Sequence, residues 1–381
     1  MKNEIKKIFI ELQKCYLERN AANIDKLADT LFDKNSSPVV IGTSNNEIFF
    51  GYEESKKIFL EDWKSWGNVS FDMDTLEIIE NDTLINVSIK AGVEYNFYNT
   101  EETYKNFMGF VKEVAENKKS HYSKSAETIW LLSHLLHERA DNERKYIWDM
   151  NITGIIKNTT TGYKFEFLQF SIPTSSQFPD ARIDAEEYDK HSYNEESKKI
   201  KNFNETIDED RNLKEKLSEI FNNSDEILFS SDNLKRFMCI DSSKKDSKEF
   251  KEYLELLKTE GTLDKIEDQN IILFKTEKSF SFFGISTYTK KINPEKELNK
   301  IFDKIKKDDY EGDNKDKLFK IRRDLSFALK EIFAAGNEMI SPIRIQGMGT
   351  IKENQLIIDS FEISYPFNCI LEEKTDLAIK K

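Results

Sequence analysis

Apolar residues along the chain fall into two spacings, and the order of those spacings occurs twice. Met1 to Asn20 places apolar residues at helical intervals with Lys and Glu distributed between them, which predicts an amphipathic helix. Ile24 to Phe32 predicts a second helix. Short strands follow at Pro38 to Thr43 and Glu47 to Phe50, then a helix over Glu53 to Trp66. Strands are expected at Phe71 to Glu80 and Thr83 to Phe97, a helical excursion at about Glu101 to Arg139, and a closing hairpin of Tyr146 to Lys157 with Tyr163 to Ile172. The same order starts again with a helix at Leu213 to Phe221. Strands at Glu226 to Ser230 and Lys235 to Ile240 and a helix at Ser247 to Thr259 continue it.

The repetition has a register. Thr128 to Pro173 lies over Ile321 to Pro366 without a gap, at a constant offset of 193. Leu132 falls on Leu325, Ser133 on Ser326, Gly154 on Gly347, Ser171 on Ser364 and Pro173 on Pro366. Upstream, the pattern of Leu84 to Phe97 matches Ile271 to Gly284 at an offset of 187, which implies about six extra residues within the second copy. One ancestral unit occurring twice is the simplest account. The expected domains are residues 1–184, a charged linker at 185–210, and residues 211–381. The fold class is α+β: two tandem cone-like curved antiparallel sheets, each packed on helices.

Composition narrows the function classes. Twelve per cent of the 381 residues are aromatic, and a disordered chain lacks such side chains. Asp and Glu number 70 against 57 Lys and Arg, a net charge of −13 that repels phosphate backbones, so no nucleic acid is expected as a partner. Lys304, Lys306 and Lys307 are followed at once by Asp308, Asp309 and Glu311, which cancels the local field. Cys15, Cys239 and Cys369 are scattered and form no CxxC, so a reducing, cytoplasmic setting is expected. The N-terminus lacks a signal-peptide core, and no apolar run is long enough to span a membrane, so no membrane partner is expected.

The first copy carries Val40-Ile41-Gly42-Thr43, Glu47-Ile48-Phe49-Phe50-Gly51 and Asp62-Trp63-Lys64-Ser65-Trp66-Gly67-Asn68-Val69. Near its end stand Trp148-Asp149-Met150-Asn151-Ile152-Thr153, Gln169-Phe170-Ser171-Ile172-Pro173 and Phe178-Pro179-Asp180-Ala181-Arg182-Ile183. Together these resemble the SnoaL-like branch of the nuclear transport factor 2-like superfamily. The second copy keeps only the last helix and hairpin. The resemblance implies a cone-shaped α+β barrel with an apolar pocket, in a superfamily of isomerases, dehydratases and cyclases as well as non-catalytic binding and oligomerising domains. It also implies pairing through the sheets, so a pseudo-dimer of the two copies, or a homodimer, is expected. In related sequences the position of Gln169 often holds His and that of Asn151 often Arg; this chain departs at both.

The closing hairpin is the sharpest candidate for chemistry. If it is symmetric, Asn151 faces Gln169, and the equivalent Arg344 faces Glu362: an amide pair in one copy, an ion pair in the other. Alternation puts Gln169 and Ser171 on one face above Phe167 and Phe165. That pair either orients a ligand or stabilises the sheet. Trp63 and Trp66, three apart on a helix, either wall a flat ligand or bury the helix. Tyr95 is grouped with them as a ligand-lining residue. Asp62 beside them, or Glu94 on a strand, would act as an acid or base if held in an apolar pocket, and as a surface carboxylate otherwise. His134 and His137 share a helix face, but no spacing supplies further metal ligands, so no metal is expected. Nucleotide, P-loop and nucleophile motifs are absent, and no cofactor is expected. Gly347-Met348-Gly349 reads as close backbone packing or a bulge. The first expectation is therefore a non-catalytic protein that binds a small apolar ligand or a protein partner. The alternative is an isomerase, dehydratase or cyclase using Asp62 or Glu94.

Overall fold

The computed structural model describes residues 1–65, 67–98, 101–116, 118, 120–138, 143–172, 185–206, 210–222, 234–238, 244–291, 293–312, 314, 317–318, 320–322, 324–325, 328–329, 338–353 and 355–366. Its first half opens with helix α1 (Lys2–Glu18), whose Ile5, Ile8, Phe9, Leu12 and Tyr16 form one buried stripe. The helix stops where Arg19 turns left-handed and its N–H caps the Cys15 carbonyl. Helix α2 (Ile24–Leu31) and strands β1 (Val39–Ile41) and β2 (Ile48–Phe50) follow, then α3 (Gly51–Ser65). Strands β3 (Asn68–Phe71), β4 (Glu77–Asn81) and β5 (Leu84–Tyr98) lead to helices α4 (Glu101–Glu116) and α5 (His121–Glu138). The hairpin of β6 (Glu143–Thr159) and β7 (Gly162–Ser171) ends the half.

The second half follows the same sequence. Helix α7 (Arg211–Asn222), β8 (Arg236–Met238) and β9 (Lys244–Lys245) precede α8 (Ser247–Glu260). An Asp246–Glu249 capping box starts α8. Strands β10 (Gly261–Leu263), β11 (Ile271–Lys275) and β12 (Ser279–Lys291) lead to α9 (Pro294–Lys307), and β13 (Glu338–Lys352) with β14 (Gln355–Ser364) closes the half. Asn293 caps α9, and Pro294 occupies its first turn, where a missing N–H costs nothing.

The two sheets have one topology. The first runs β2-β1-β7-β6-β5-β3 with β4 on β5; the second runs β9-β8-β14-β13-β12-β10 with β11 on β12. They are mixed rather than wholly antiparallel, because β1 lies parallel to β7 and β8 parallel to β14. The registers also agree. Asn151 pairs with Ser171 and Arg344 with Ser364, both shifted by 193. Each hairpin has a bulge at the same place, after Ile155 in the first and after Met348 in the second. The extra residue is Glu166 in one half and Asp359 in the other, again 193 apart. The Gly347-Met348-Gly349 triplet thus sits at a bulge. A Cβ on Gly154 would lie 2.6 Å from the Phe165 ring, and one on Gly347 2.4 Å from the Ser360 carbonyl, so both approaches require glycine.

The upstream offset needs correction. Leu84 pairs with Lys157 and Ser279 with Thr350, and Thr350 lies 193 beyond Lys157. Ser279 is therefore the counterpart of Leu84, an offset of 195 rather than 187. Ile271 to Lys275 corresponds to β4, not to β5. Likewise β8 corresponds to β1, since both lie parallel to the last strand of their sheet. The strand expected at Glu226 to Ser230 lies outside the described residues.

Residues 185–204, expected as a linker with little periodicity, form a helix, α6 (Ala185–Asn204). It does not repeat the role of α1. Ile5, Phe9 and Leu12 of α1 fill the concave side of the first sheet, together with Phe32, Phe59, Phe165 and Phe170. Ile200 and Phe203 of α6 instead enter a separate cluster between the two sheets. That cluster joins Val39, Ile41, Leu84, Ile155 and Phe167 of the first sheet to Ile272, Phe283, Ile285 and Met348 of the second. Phe167 and Phe283 meet with ring centroids 5.5 Å apart, and Phe203 stacks on Phe50 at 4.3 Å. The molecule therefore has three apolar layers: one core inside each curved sheet, and a third where the two outer faces meet.

Candidate functional site

The residues singled out in the closing hairpins do come together, but across the seam between the sheets rather than in a cup. The Gln169 amide donates to Ser364 Oγ at 2.7 Å, and Ser171 Oγ donates to Glu362 at 3.2 Å. Glu362 is the counterpart of Gln169, and Ser364 of Ser171. The two bonds are therefore one contact made twice, the reciprocity of an isologous interface. The Gln346 amide donates to Thr153, its own counterpart, on what would be the symmetry axis, and also to Glu362 at 2.6 Å.

The expected cross-strand pairs are corrected by the register. Asn151 faces Ser171, Gln169 faces Thr153, Arg344 faces Ser364, and Glu362 faces Gln346. The bulge also turns Phe165 into the first core while Phe167 enters the seam, so the two do not lie beneath Gln169 on one face. Arg344 makes no pair with Glu362. Its guanidinium donates to Glu196 of α6 at 2.6 Å and to the carbonyls of Gly42 and Ser44 at 2.7 and 2.8 Å. The same Glu196 oxygen accepts from the Asn46 N–H at 2.8 Å, and the Arg344 and Glu196 side chains are each about 1% exposed. Burial pushes the Glu362 and Glu47 carboxyls above the usual carboxylate range; Gln346 and Arg236 oppose this at Glu362, and the Ser44 N–H and Arg344 at Glu47. Sequence reasoning missed Glu196, Asn86 and Arg236. Arg236 donates to Asn86 across the seam and is 6% exposed. A buried-face spacing of Tyr193, Glu196, Ile200 and Phe203 is the signal that could have found α6.

The second cluster stands inside the first half. Tyr16 of α1 donates its phenol proton to Asp62 of α3. Asp62 keeps an edge at the surface while its carboxyl turns inward. Burial raises that carboxyl well above its ordinary range; Glu47 adds to the shift, and Tyr16 and Arg19 oppose it. The Tyr16 hydroxyl is raised too, by burial and by Asp62. Trp63 is 7% exposed and belongs to the core around Phe59. Trp66 lies outside the described residues. Tyr95 is placed by its strand, opposite Tyr146. Glu94 stands half-exposed on β5 opposite Asn68.

Two open clefts lie elsewhere. One, of about 720 Å³, runs between α2 and the β6–β7 turn and includes Lys26, Asp29, Tyr163 and Lys164. Lys164 there donates to the Asp29 and Thr30 carbonyls at the end of α2, and burial pulls its ammonium below the usual lysine range. The other, of about 630 Å³, opens at one end of the seam between the halves. Among the described residues, no helix is long and apolar enough to cross a membrane.

No family pattern and no curated protein matches the chain. Several of the solved structures that it is similar to carry the nuclear transport factor 2-like name. One from Pseudomonas putida, of unknown function, matches at 8% identity over 46% of this chain and 87% of its own, with a TM-score of 0.28. A Streptomyces avermitilis protein, described as a putative dehydratase of the same family, matches at 7% identity over 46% of this chain and all of its own, with a TM-score of 0.28. A putative calcium/calmodulin-dependent protein kinase II association domain from Xanthomonas campestris matches at 11% identity over 44% of this chain and 85% of its own, with a TM-score of 0.27.

Proposed function

We propose that the chain is a non-catalytic binding or interaction protein in which two copies of one nuclear transport factor 2-like unit are fused into a pseudo-dimer. One observation carries this reading. The polar residues best suited to orient a ligand, Gln169, Ser171, Arg344 and Glu362, are engaged in holding the two sheets together. The first cup is filled as well, by Phe9, Phe32, Phe59, Phe165 and Phe170. An apolar ligand or partner would be held through the first unit, which keeps the Trp63 side chain and the family-like motifs. Native mass spectrometry of the protein purified from its own host tests this. A reproducible co-purifying molecule or protein supports the reading, and an isolated apo monomer with no associated species counts against it.

An enzymatic reading rests on Tyr16 and Asp62. A carboxyl withdrawn from water and held by a phenol is suited to moving a proton at a carbon next to a carbonyl. Hydrogen exchange of small ketones in deuterated water, followed by NMR, separates the two. Exchange that disappears in Asp62→Asn would establish the enzyme and overturn the first reading.

A further inference from the structure

The reciprocity of the seam also fails at the two bulge carboxylates. Asp359 is well served. Its carboxylate accepts from the Asn81 amide of the other half at 2.7 Å and from the Lys235 ammonium of its own half at 3.1 Å. Ser279 closes the same corner by donating to the Asn81 carbonyl at 3.0 Å. The counterparts follow from the registers already given. Glu166 stands for Asp359, Thr276 for Asn81, Pro38 for Lys235, and Leu84 for Ser279.

Two of these replacements, Pro38 and Thr276, remove a donor from Glu166, and the third, Leu84, removes only the hydroxyl that braces the Asn81 carbonyl at the other bulge. Pro38 has no ammonium. Thr276 turns away, its hydroxyl donating to Asp82 at 3.1 Å and accepting from the Ser279 N–H. Leu84 is apolar. Glu166 consequently has no hydrogen-bond partner among the described residues, although it is half-buried and burial holds its carboxyl above the usual range. Lys157 acts on it only at a distance, from an exposed position. Lys275 is already paired with Asp210.

The space left by the missing donors is the cleft of about 630 Å³ at that end of the seam. Glu166 lines it together with Leu84, Phe203, Leu273 and Phe274, while the rim carries Ser36, Ser37, the exposed Lys157 and the Lys275–Asp210 ion pair. Its size is that of a small-molecule site. We propose that this cleft binds a small organic amine, its ammonium on Glu166 in the place that Asn81 and Lys235 occupy at Asp359, and its apolar body against Leu84, Phe203 and Phe274. A carboxylate half out of water gains most from a charged donor. The apolar neighbours favour an amine with an alkyl or aryl body over a hydrophilic one.

Calorimetric titration of the full chain with three probes of one shape tests the proposal: 2-phenylethylamine, 2-phenylethanol and 3-phenylpropionate. The amine is expected to bind, and the alcohol and the acid to bind more weakly by about tenfold or more, the worth of one charge-assisted hydrogen bond. Glu166→Gln should remove the preference for the amine. Thr276→Asn, which restores the internal amide found at the other bulge, should compete with the amine and weaken it while leaving Glu166 in place. Equal binding of the three probes, no binding of the amine, or amine binding unchanged in Glu166→Gln would each overturn the proposal. The Thr276→Asn variant keeps the test independent of any folding defect in Glu166→Gln, which thermal unfolding of both variants would reveal.

Discussion

Single residues carry measurable consequences because several polar groups lie where water does not reach. Lys214 on α7 is 5% exposed, and burial pulls its ammonium down to about 8. Its folded pKa is below that of the unfolded chain, so between about pH 8 and 10.5 the unfolded state holds more protons, and stability rises with pH across that window. Lys214→Met should remove that rise, read from urea midpoints across the range. Gly154 makes a different demand. Its Cβ would meet the Phe165 ring and the Phe167 carbonyl at 2.6–2.8 Å. Gly154→Ala should therefore cost about 1–3 kcal/mol by overpacking. A loss of less than a few tenths would mean that the hairpin yields there. The Gly347-Met348-Gly349 triplet was legible as close backbone packing or a bulge, and Gly154 only as its match in the repeat. Glu166 as a bulge was not, because no Gly or Pro marks it; it shifts the pairing by one residue and the turn, centred between Thr160 and Thr161, by another, so Asn151 meets Ser171 instead of Gln169.

At the scale of elements, the closing hairpins were readable because the same gapless apolar pattern occurs in both. The upstream strands were not. Strand β11 is a short apolar run buried on two faces, and such a run has no alternation to fix a register. Helix α6 was read as a linker because charged residues dominate it and few apolar side chains mark its buried edge. Its importance lies in one ion pair, Arg344 with Glu196. Removing either partner strands a buried charge, at about 3–5 kcal/mol. Arg344→Met and Glu196→Met are expected to be strongly non-additive in a double-mutant cycle, with coupling above about 1 kcal/mol. Arg344→Met with Asn81→Ala, which bonds Asp359 instead, should add almost simply. Additivity of the Arg344 and Glu196 changes would remove α6 from the seam.

At the scale of the molecule, the two halves share a buried layer in which an apolar cluster lies beside the polar contacts of the hairpins. Burying each of Phe167, Phe283, Ile155 and Ile285 contributes roughly 1.5–3 kcal/mol, enough to couple the halves thermodynamically. Fluorescence and far-UV circular dichroism should report a single coincident transition in guanidinium. Residues 1–172 expressed alone would present Ile41, Leu84, Ile155 and Phe167 to water, and light scattering should find a self-associated species instead of a monomer. Two separated transitions, or a soluble monomeric fragment, would show that the shared layer contributes little. The sequence pattern could place these residues on a strand face. It could not say that this face meets another sheet, because the face mixes Ile155 and Phe167 with Thr153, Gln169 and Ser171, a pattern that a solvated sheet face also shows.

Arg344 stands where the first half has Asn151, and one helix brings one carboxylate to it. Two identical polypeptides meeting on an axis inherit every change in duplicate, so a guanidinium arriving at this position would appear twice and need two such carboxylates. A single gene encoding both sides escapes that constraint. Each side can drift while the other stays fixed, and a vacancy such as the one beside Glu166 can open at one end without opening at the opposite one.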